Sequence, residues 1–323
     1  LRAAGARRQL ALAATAMSGS MGVVLRPCLL VVVIAMLNRE VTTEQLFGWG
    51  YYVFLLSAVL FFLVTTLINR QSRFELAPLR VAIPEMLQAL RPLIPYALVI
   101  AVVVLAYQYG LGVTLDEFSA PRILPLMLIG ILVYEATRFR GRPMPETAGG
   151  QAHSGFEPSL RHATSDTTIE IGALLLLFGL SISLGGVIER GGLMGHFPES
   201  FASPWSAMLI MVLVLVVLGM IMDAFGAVIL VSATIATMAY QSGIHPVHFW
   251  MVTLVAFELG YLTPPVSLNH LLTRQVVGDA EIRLSHLSNG NFYQRHERIV
   301  MPMLVMGTAL VLVAFVPLLF YGL

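Results

Sequence analysis

The stretch that decides the fold is an apolar segment near the C-terminal end that a glycine and two prolines interrupt. It reads Ala256-Phe257-Glu258-Leu259-Gly260-Tyr261-Leu262-Thr263-Pro264-Pro265. A stretch near the other end carries a similar interruption and reads Ser18-Gly19-Ser20-Met21-Gly22-Val23-Val24-Leu25-Arg26-Pro27. In each, a proline follows a glycine by five residues. Because proline removes a backbone donor and glycine permits unwound geometry, we predict a helix broken in mid-course at both places.

The composition around these stretches is that of a membrane protein. Of the 323 residues, 57% are hydrophobic and 11% are charged, against about 25% charged in soluble domains, and the mean hydropathy is +0.82. Such a chain cannot cover a soluble surface with charge, which excludes a soluble enzyme, a nucleic-acid binder and a disordered scaffold. The single cysteine, Cys28, excludes a disulfide framework and a cysteine-metal site. We therefore predict an all-α polytopic membrane protein.

Apolar stretches suited to crossing a bilayer recur along the chain. A spanning helix needs about 20 apolar residues, and the candidate stretches lie near residues 9–37, 46–68, 93–115, 120–137, 169–188, 205–240, 248–273 and 299–323. The polar segment 138–168 is predicted to be a flexible cytoplasmic linker. The segments 72–91 and 279–297 mix charges with apolar residues, which suits either amphipathic surface helices or ordinary connecting loops.

Arginines set the orientation of these spans. All 19 basic residues are arginine, and 15 of them lie in segments 1–9, 69–92, 138–168 and 274–298, which the positive-inside rule places in the cytoplasm. If residues 205–240 crossed the membrane once, segment 274–298 would lie outside. We therefore predict a re-entrant hairpin over 205–240, with its tip near residues 222–226, and a periplasmic C-terminus. Non-helical backbone at that depth must be buried in protein or face water.

The two broken spans run in opposite directions under this topology. That pattern is typical of the inverted repeats of secondary transporters, whose broken helices surround a site at the membrane midplane. The alternative is that both breaks merely kink their helices. We divide the chain into residues 1–45 (end of the first repeat, with its broken helix), 46–137 (middle spans), 138–168 (linker), 169–276 (second repeat, with hairpin and broken helix) and 277–323 (amphipathic segment and last span).

Two carboxylates of the second repeat are predicted to lie at membrane depth, where an unpaired charge costs at least about 2.5 kcal/mol. Asp223 lies at the predicted hairpin tip, and it either serves the function or caps a helix through local amides. Glu258 precedes Gly260 by two residues. It either braces the unwound backbone, as a structural hydrogen-bonding group, or neutralises a nearby cation.

Hydroxyl and carbonyl oxygens at the breaks are ligands that small cations prefer. The second break offers Thr263 and the carbonyl groups of Gly260 and Tyr261, which we expect to be free of hydrogen bonds. The corresponding groups of the first break are Ser18, Ser20 and the carbonyls near Gly19 and Gly22.

Four other polar residues need an interpretation. Arg26 either faces an anionic substrate or replaces a sodium ion with its own charge. Alternatively, it snorkels toward the membrane surface or pairs with a carboxylate such as that of Glu258 or Asp223. Asn269 follows the second break and is predicted to bond substrate or backbone. His245 and His248 are interpreted as loop and cap residues, because no further ligands converge with them in the sequence.

Three blocks of the chain carry a family resemblance: Gly219-Met220-Ile221-Met222-Asp223-Ala224, Gly243-Ile244-His245-Pro246-Val247-His248-Phe249 and Glu258-Leu259-Gly260-Tyr261-Leu262-Thr263-Pro264-Pro265-Val266-Ser267-Leu268-Asn269. They resemble the C-terminal repeat of the large, DctM-like membrane subunit of TRAP (tripartite ATP-independent periplasmic) transporters, and residues 11–27 are similar to that family's first broken helix. The resemblance implies an elevator-type importer of organic acids, with Na⁺ as coupling ion and no other cofactor.

In that family, sodium ions sit between a hairpin tip and a break, which guides our choice of site residues. The predicted ion- and substrate-binding residues are Ser18, Gly19, Ser20, Gly22, Arg26, Asp223, Gly226, Glu258, Gly260, Thr263, Pro264, Pro265 and Asn269. Of these, Gly260 and Thr263 are predicted to bind sodium, and no catalytic residue is expected. The sequence departs from the family at Arg26-Pro27-Cys28, where a run like Pro-Pro-Ser is usual.

The resemblance also implies partners and a location. The partners are a small membrane subunit and a periplasmic substrate-binding protein, and the location is the bacterial inner membrane. The substrate is then a small organic anion, either a C4-dicarboxylate-like acid or a sugar acid. The family's first hairpin would precede Leu1, so we expect the N-terminus to be truncated.

Two functions of other classes are alternatives to transport. One is a non-transporting membrane scaffold related to the transporters. The other is an intramembrane serine hydrolase that uses Ser20 with His270 as the activating base, since nucleophilic chemistry needs a base within hydrogen-bond reach.

Overall fold

The computed structural model describes residues 7–26, 28–68, 91–110, 112, 120–138, 201–264, 267–286 and 292–321, with isolated positions within 84–90 and 161–192. All regular structure among these residues is helical. The α-helices are α1 (Arg8–Gly22), α2 (Leu29–Leu37), α3 (Thr43–Ile68), α4 (Ile94–Leu105), α5 (Ala120–Arg138), α6 (Pro204–Ile221), α7 (Ala224–Ala233), α8 (Ile235–Gln241), α9 (Pro246–Leu262), α10 (Leu268–Val277), α11 (Asp279–His286) and α12 (Phe292–Phe315).

The apolar helices are those of a multi-pass membrane protein. Within the described residues, three helical segments are long and apolar enough to cross a bilayer: Thr43–Ile68, Pro204–Ile221 and Arg295–Phe320. Helices α7 and α8 taken together are also long and apolar enough to cross a bilayer, but the chain bends by 47° between them. Two shorter apolar helices cover Ile94–Gly110 and Pro246–Leu262. The predicted all-α membrane fold class is therefore confirmed.

The chain divides into two compact units. The larger comprises Leu1–Ile68, Thr147–Gly150 and Ser165–Leu323, and the smaller comprises Asn69–Glu146 and Gln151–Thr164. In the smaller unit α4 packs against α5, with the rings of Tyr96 and Tyr134 5.5 Å apart at their centroids.

Three sequence predictions fall mostly outside the described residues. They are the linker at 138–168, the amphipathic segment at 72–91 and the apolar stretch at 169–188. The other amphipathic candidate, 279–297, contains the short helix α11 and the first residues of α12.

Both predicted helix breaks are present in the larger unit. Helix α1 ends at Gly22 and α2 begins at Leu29, while α9 ends at Leu262 and α10 begins at Leu268. At the second break Ser267 adopts a left-handed conformation, with φ of 50°. The break prolines Pro27 and Pro265 lie outside the described residues.

The segment 204–241 turns back on itself, as the hairpin prediction requires. Helix α6 runs to Ile221, the chain turns at Met222 and Asp223, and α7 with α8 returns. The two ends of the segment lie together, because the backbone N–H of Phe201 donates to the hydroxyl of Ser242 at 3.0 Å. The tip is therefore remote from both ends of the segment.

The start of α1 is tied to α11 and to the start of α12. Arg7 pairs with the buried carboxylate of Glu297 at 2.8 Å, and Arg8 pairs with Glu281 at 2.9 Å. Buried Gln9 donates to the carbonyl oxygen of Ser285 at 2.9 Å. These contacts place the described parts of segments 1–9 and 274–298 at the same end of the unit, in agreement with the arginine distribution.

Candidate functional site

The hairpin tip meets the second break through two glycines. A Cβ on Gly260 would lie 2.5 Å from the carbonyl carbon of Gly219, and a Cβ on Gly219 would lie 2.8 Å from Cα of Phe257. The backbones of α6 and α9 are therefore in contact at these two glycines. Gly219 lies three residues before the turn at the tip, and Gly260 lies just before the break. This approach brings the tip beside the break, where the sequence places the second ion site.

Asp223 caps the helix that follows the tip. Its Oδ1 accepts hydrogen bonds from the backbone N–H groups of Phe225 at 2.9 Å and Gly226 at 3.2 Å. The capping interpretation is therefore confirmed, and the amide of Gly226 serves that cap. A cap at this position fixes the direction in which α7 leaves the tip. Direct binding of an ion by Asp223 stays a prediction.

Three predicted site residues form one polar cluster, of which two members are buried and Asn269 is half-buried. The side-chain amide of Asn269 donates to the Ser20 hydroxyl at 2.6 Å and to Oε2 of Glu258 at 3.3 Å. Ser20 is 2% exposed and Glu258 is 4% exposed. Ser20 lies on α1 before the first break, whereas Glu258 and Asn269 flank the second. We call these three residues the inter-break cluster.

The side chain of Asn269 thus bonds two other side chains, where we had expected substrate or backbone. Its partner Glu258 is held by a neighbouring amide in the manner of a structural hydrogen-bonding group. The carboxylate is buried, so the hydrogen bond from Asn269 also offsets part of the free-energy cost of removing it from water. Whether Glu258 in addition neutralises a cation stays a prediction.

The carbonyl of Gly260 is not free, and that expectation is wrong. It accepts a hydrogen bond from the backbone N–H of Thr263 at 3.0 Å, while the Thr263 hydroxyl donates to the carbonyl of Leu259 at 2.6 Å. Proline cannot donate, but the residue before it can, and Thr263 precedes Pro264. A carbonyl oxygen has a second lone pair, so Gly260 retains one acceptor site for a cation.

The first break shows the same local bonding. The carbonyl of Gly22 accepts from the N–H of Leu25 at 3.1 Å, and the exposed hydroxyl of Ser18 donates to the carbonyl of Thr15 at 2.8 Å. A Cβ on Gly19 or Gly22 would meet no atom within 4 Å. Among the described residues, Ser20 is the predicted oxygen ligand of this break that forms a hydrogen bond with a residue of the second break, Asn269.

Arg26 is exposed and lies against an aromatic ring. Its guanidinium carbon is 5.2 Å from the centroid of the Phe47 ring, at the start of α3. That geometry is a cation–π contact, which keeps the positive charge next to the first break. The roles considered for Arg26 toward substrate, sodium or a carboxylate stay predictions.

His245 and His248 lie at the start of α9, as predicted. Nδ1 of His245 accepts from the N–H of Val247 at 3.3 Å and caps the helix. Nε2 of His248 donates to the carbonyl of Val313 at 2.8 Å, and its Nδ1 lies 2.5 Å from the hydroxyl of Tyr321. Within the described residues, no group of three His, Cys, Asp or Glu side chains is placed to hold a metal ion.

Tyr261 is a site feature that sequence reasoning missed. The residue is 7% exposed, and within the described residues its buried hydroxyl has no hydrogen-bond partner. It follows Gly260 directly, so it lies at the junction of tip and break. A tyrosine inside an apolar stretch is the one signal that could have drawn attention to it, since a buried tyrosine usually finds a partner for its hydroxyl.

Tyr261→Phe and Tyr240→Phe are expected to change stability in opposite directions. Removing the unpartnered Tyr261 hydroxyl should raise the free energy of unfolding by about 1 kcal/mol. Removing the Tyr240 hydroxyl, which accepts from Nε1 of Trp250 at 2.8 Å, should lower it by about 1 kcal/mol. Thermal unfolding of the two purified variants in one detergent is the measurement. A loss of stability in both would show that Tyr261 has a partner of its own.

The sequence of the chain is similar to those of known transporter proteins. The family model described as "Tripartite ATP-independent periplasmic transporter, DctM component" matches residues 1–319. The chain belongs to this family. It is a family of transporter permeases and not of enzymes, which removes the intramembrane hydrolase from the alternatives.

Curated relatives agree with the DctM assignment. The C4-dicarboxylate TRAP transporter large permease protein DctM of Pseudomonas aeruginosa is 24% identical over 275 residues, covering 81% of this chain and 57% of the relative. The protein of the same name from Vibrio cholerae is 23% identical over 269 residues, covering 80% and 58%. An isethionate TRAP transporter permease protein DctMQ of Oleidesulfovibrio alaskensis is 26% identical over 113 residues, covering 34% and 16%.

The match leaves a large part of each relative uncovered. The chain spans just over half the length of the two DctM relatives. No solved structure matches the chain.

Proposed function

We propose that this DctM-family chain is the large permease subunit of a sodium-driven, elevator-type TRAP importer of small organic anions. The observation that carries the proposal is the inter-break cluster of Ser20, Glu258 and Asn269. It joins both broken helices close to the contact between the hairpin tip and the second break. Half-helix ends and oxygen ligands gathered at one depth are what inverted-repeat transporters use to bind ions and substrate.

Sodium is proposed to bind at the second break. Thr263 supplies a hydroxyl oxygen, and Gly260 supplies the remaining acceptor site of its carbonyl. Pro264 and Pro265 prevent the helix from continuing, which keeps this backbone away from regular hydrogen bonding. Hard oxygen ligands of this kind suit a small cation.

The substrate is proposed to be a C4-dicarboxylate-like acid or a sugar acid. Relatives are named for C4-dicarboxylates and for isethionate, all of which are small anions. In this chain, the exposed charge of Arg26 beside the first break is the group suited to attract an anion. Gly19 and Gly22 belong to the same break, and a Cβ on either would meet no atom within 4 Å, which leaves space for a ligand.

The proposed assembly is that of a TRAP system in the bacterial inner membrane. It comprises this subunit, a small membrane subunit and a periplasmic substrate-binding protein, with the C-terminus of the chain in the periplasm. A fused permease named DctMQ among the relatives supports a close association with a small subunit. The alternative, a membrane scaffold, would bind these partners without moving substrate.

Thr263→Val is expected to lower the apparent affinity for sodium in uptake. The full-length protein is reconstituted in proteoliposomes with its small subunit and binding protein, and uptake of labelled dicarboxylate is followed as external sodium is varied. Loss of one oxygen ligand should raise the half-saturating sodium concentration about tenfold. The matched control is Thr308→Val, because the Thr308 hydroxyl also donates to a carbonyl four residues earlier, at 2.8 Å.

The outcomes separate the functions. A selective effect of Thr263→Val supports the sodium site, and equal sodium dependence in both variants contradicts it. If the wild-type assembly takes up no anion under any cation gradient although its partners bind, the scaffold is the better description.

A further inference from the structure

We propose that Asn269 is a positioning residue that couples the two breaks, so that the first break cannot open independently of the second. Only the uptake test of this proposal rests on the proposed transport function. The coupling of the breaks is inferred from the contacts of the inter-break cluster. The cluster joins residues that are 249 positions apart in the chain.

The bonds within the cluster form a bridge. Asn269 has two N–H hydrogens on one nitrogen, and it directs that nitrogen to Ser20 at 2.6 Å and to Glu258 at 3.3 Å. The bridge therefore links α1 at the first break to α9 at the second. Loss of the Asn269 donors removes both of these bonds.

The other polar contacts between α1 and the C-terminal helices have a different location. Arg7, Arg8 and Gln9 make them at the N-terminal end of α1, with Glu297, Glu281 and Ser285. They hold the start of the helix, ten or more residues from the break. The inter-break cluster acts at the break itself, where Ser20 is two residues from the end of α1. It is thus placed to transmit a change at the second break to the first.

Cys28 provides a direct readout of the first break. It lies between α1 and α2, it is half-buried, and its thiol is free. The rate at which a small maleimide modifies Cys28, followed by peptide mass spectrometry of the full-length protein in detergent, reports how often that break opens. The measurement needs neither substrate nor transport.

Asn269→Asp is expected to raise the Cys28 modification rate about tenfold or more. The substitution keeps the shape of the side chain but removes both donors and places a second carboxylate beside Glu258. The matched control is Thr253→Val on α9. It deletes a buried hydroxyl bond that lies within α9 itself, the one to the carbonyl of Phe249 at 2.9 Å. The control should leave the Cys28 rate unchanged.

An exchange variant separates coupling from general loss of stability. Glu258→Gln combined with Asn269→Asp preserves the charge of the cluster and reverses its donors and acceptors. If hydrogen bonds across the cluster carry the coupling, the double variant should return the Cys28 rate to within about threefold of wild type. An unchanged rate in Asn269→Asp, an equal rise in Thr253→Val, or no recovery in the exchange variant would each overturn the proposal.

Uptake gives the functional consequence. With sodium at the second break, as proposed, an Asn269→Asp variant whose first break opens independently should take up substrate about tenfold more slowly than wild type at saturating sodium. An uptake rate equal to that of wild type would overturn the coupling. Absence of sodium-driven uptake in the wild type would overturn the proposed function instead, and the Cys28 rates would still decide whether Asn269 couples the breaks.

Discussion

Gly260→Ala is expected to separate the hairpin tip from the second break and to abolish uptake. The added Cβ would lie 2.5 Å from the carbonyl carbon and 2.8 Å from Cα of Gly219, and 2.8 Å from the backbone nitrogen of Met220. All three atoms are backbone, so no side chain can rotate away. We expect a loss of about 3 kcal/mol or more in the free energy of unfolding, the upper part of the range for overpacked sites.

The control for Gly260→Ala is Gly22→Ala. Gly22 holds the equivalent place in the sequence of the first break, but a Cβ there would meet no atom within 4 Å. Alanine is the better helix former by up to about 1 kcal/mol, so this variant should be as stable as wild type or slightly more stable. Thermal unfolding in detergent and sodium-driven uptake are measured for both. Equal behaviour of the two variants would contradict the close approach at Gly260.

Gly22 and Gly260 show which features of the fold can be predicted from the sequence and which cannot. Glycine and proline spacing predicted both breaks, because their effect on the helix is local. The hairpin followed from the arginine distribution and from the length of the segment. The spacing also made Gly22 and Gly260 look equivalent. They differ because a neighbouring helix approaches one of them closely, and the sequence around each glycine does not contain that information.

The same limit applies to the candidate site. Asp223, Glu258 and Asn269 could be selected individually, since polar groups at membrane depth are costly and need a reason. The meeting of Asn269 with Ser20 depends on how distant segments pack. The wrong expectation about the Gly260 carbonyl has a local origin. Thr263 precedes Pro264 and keeps its backbone N–H, which donates to the Gly260 carbonyl before the chain leaves the helix.

Gly50→Ala is expected to be as damaging at the first break as Gly260→Ala is at the second. A Cβ on Gly50 would overlap the carbonyl oxygen of Val24 and lie 3.2 Å from its carbonyl carbon. Val24 belongs to the turn between α1 and α2, so α3 seals this break by backbone contact. The expected loss is about 3 kcal/mol or more in the free energy of unfolding. Helix α3 would be displaced, and the Cys28 modification rate should rise with it.

Gly48→Ala is the matched control, because Gly48 lies two residues earlier in α3 and a Cβ there would meet no atom within 4 Å. Both variants replace a glycine by alanine in the same helix, so the gain in helix propensity is the same in each. The two variants differ only in the contact with Val24. Thermal unfolding and Cys28 modification should change in Gly50→Ala and not in Gly48→Ala. Equal effects would mean that α3 does not seal the break. A selective effect would mean that each break is closed by a glycine of a neighbouring helix, Gly50 at the first and Gly219 at the second.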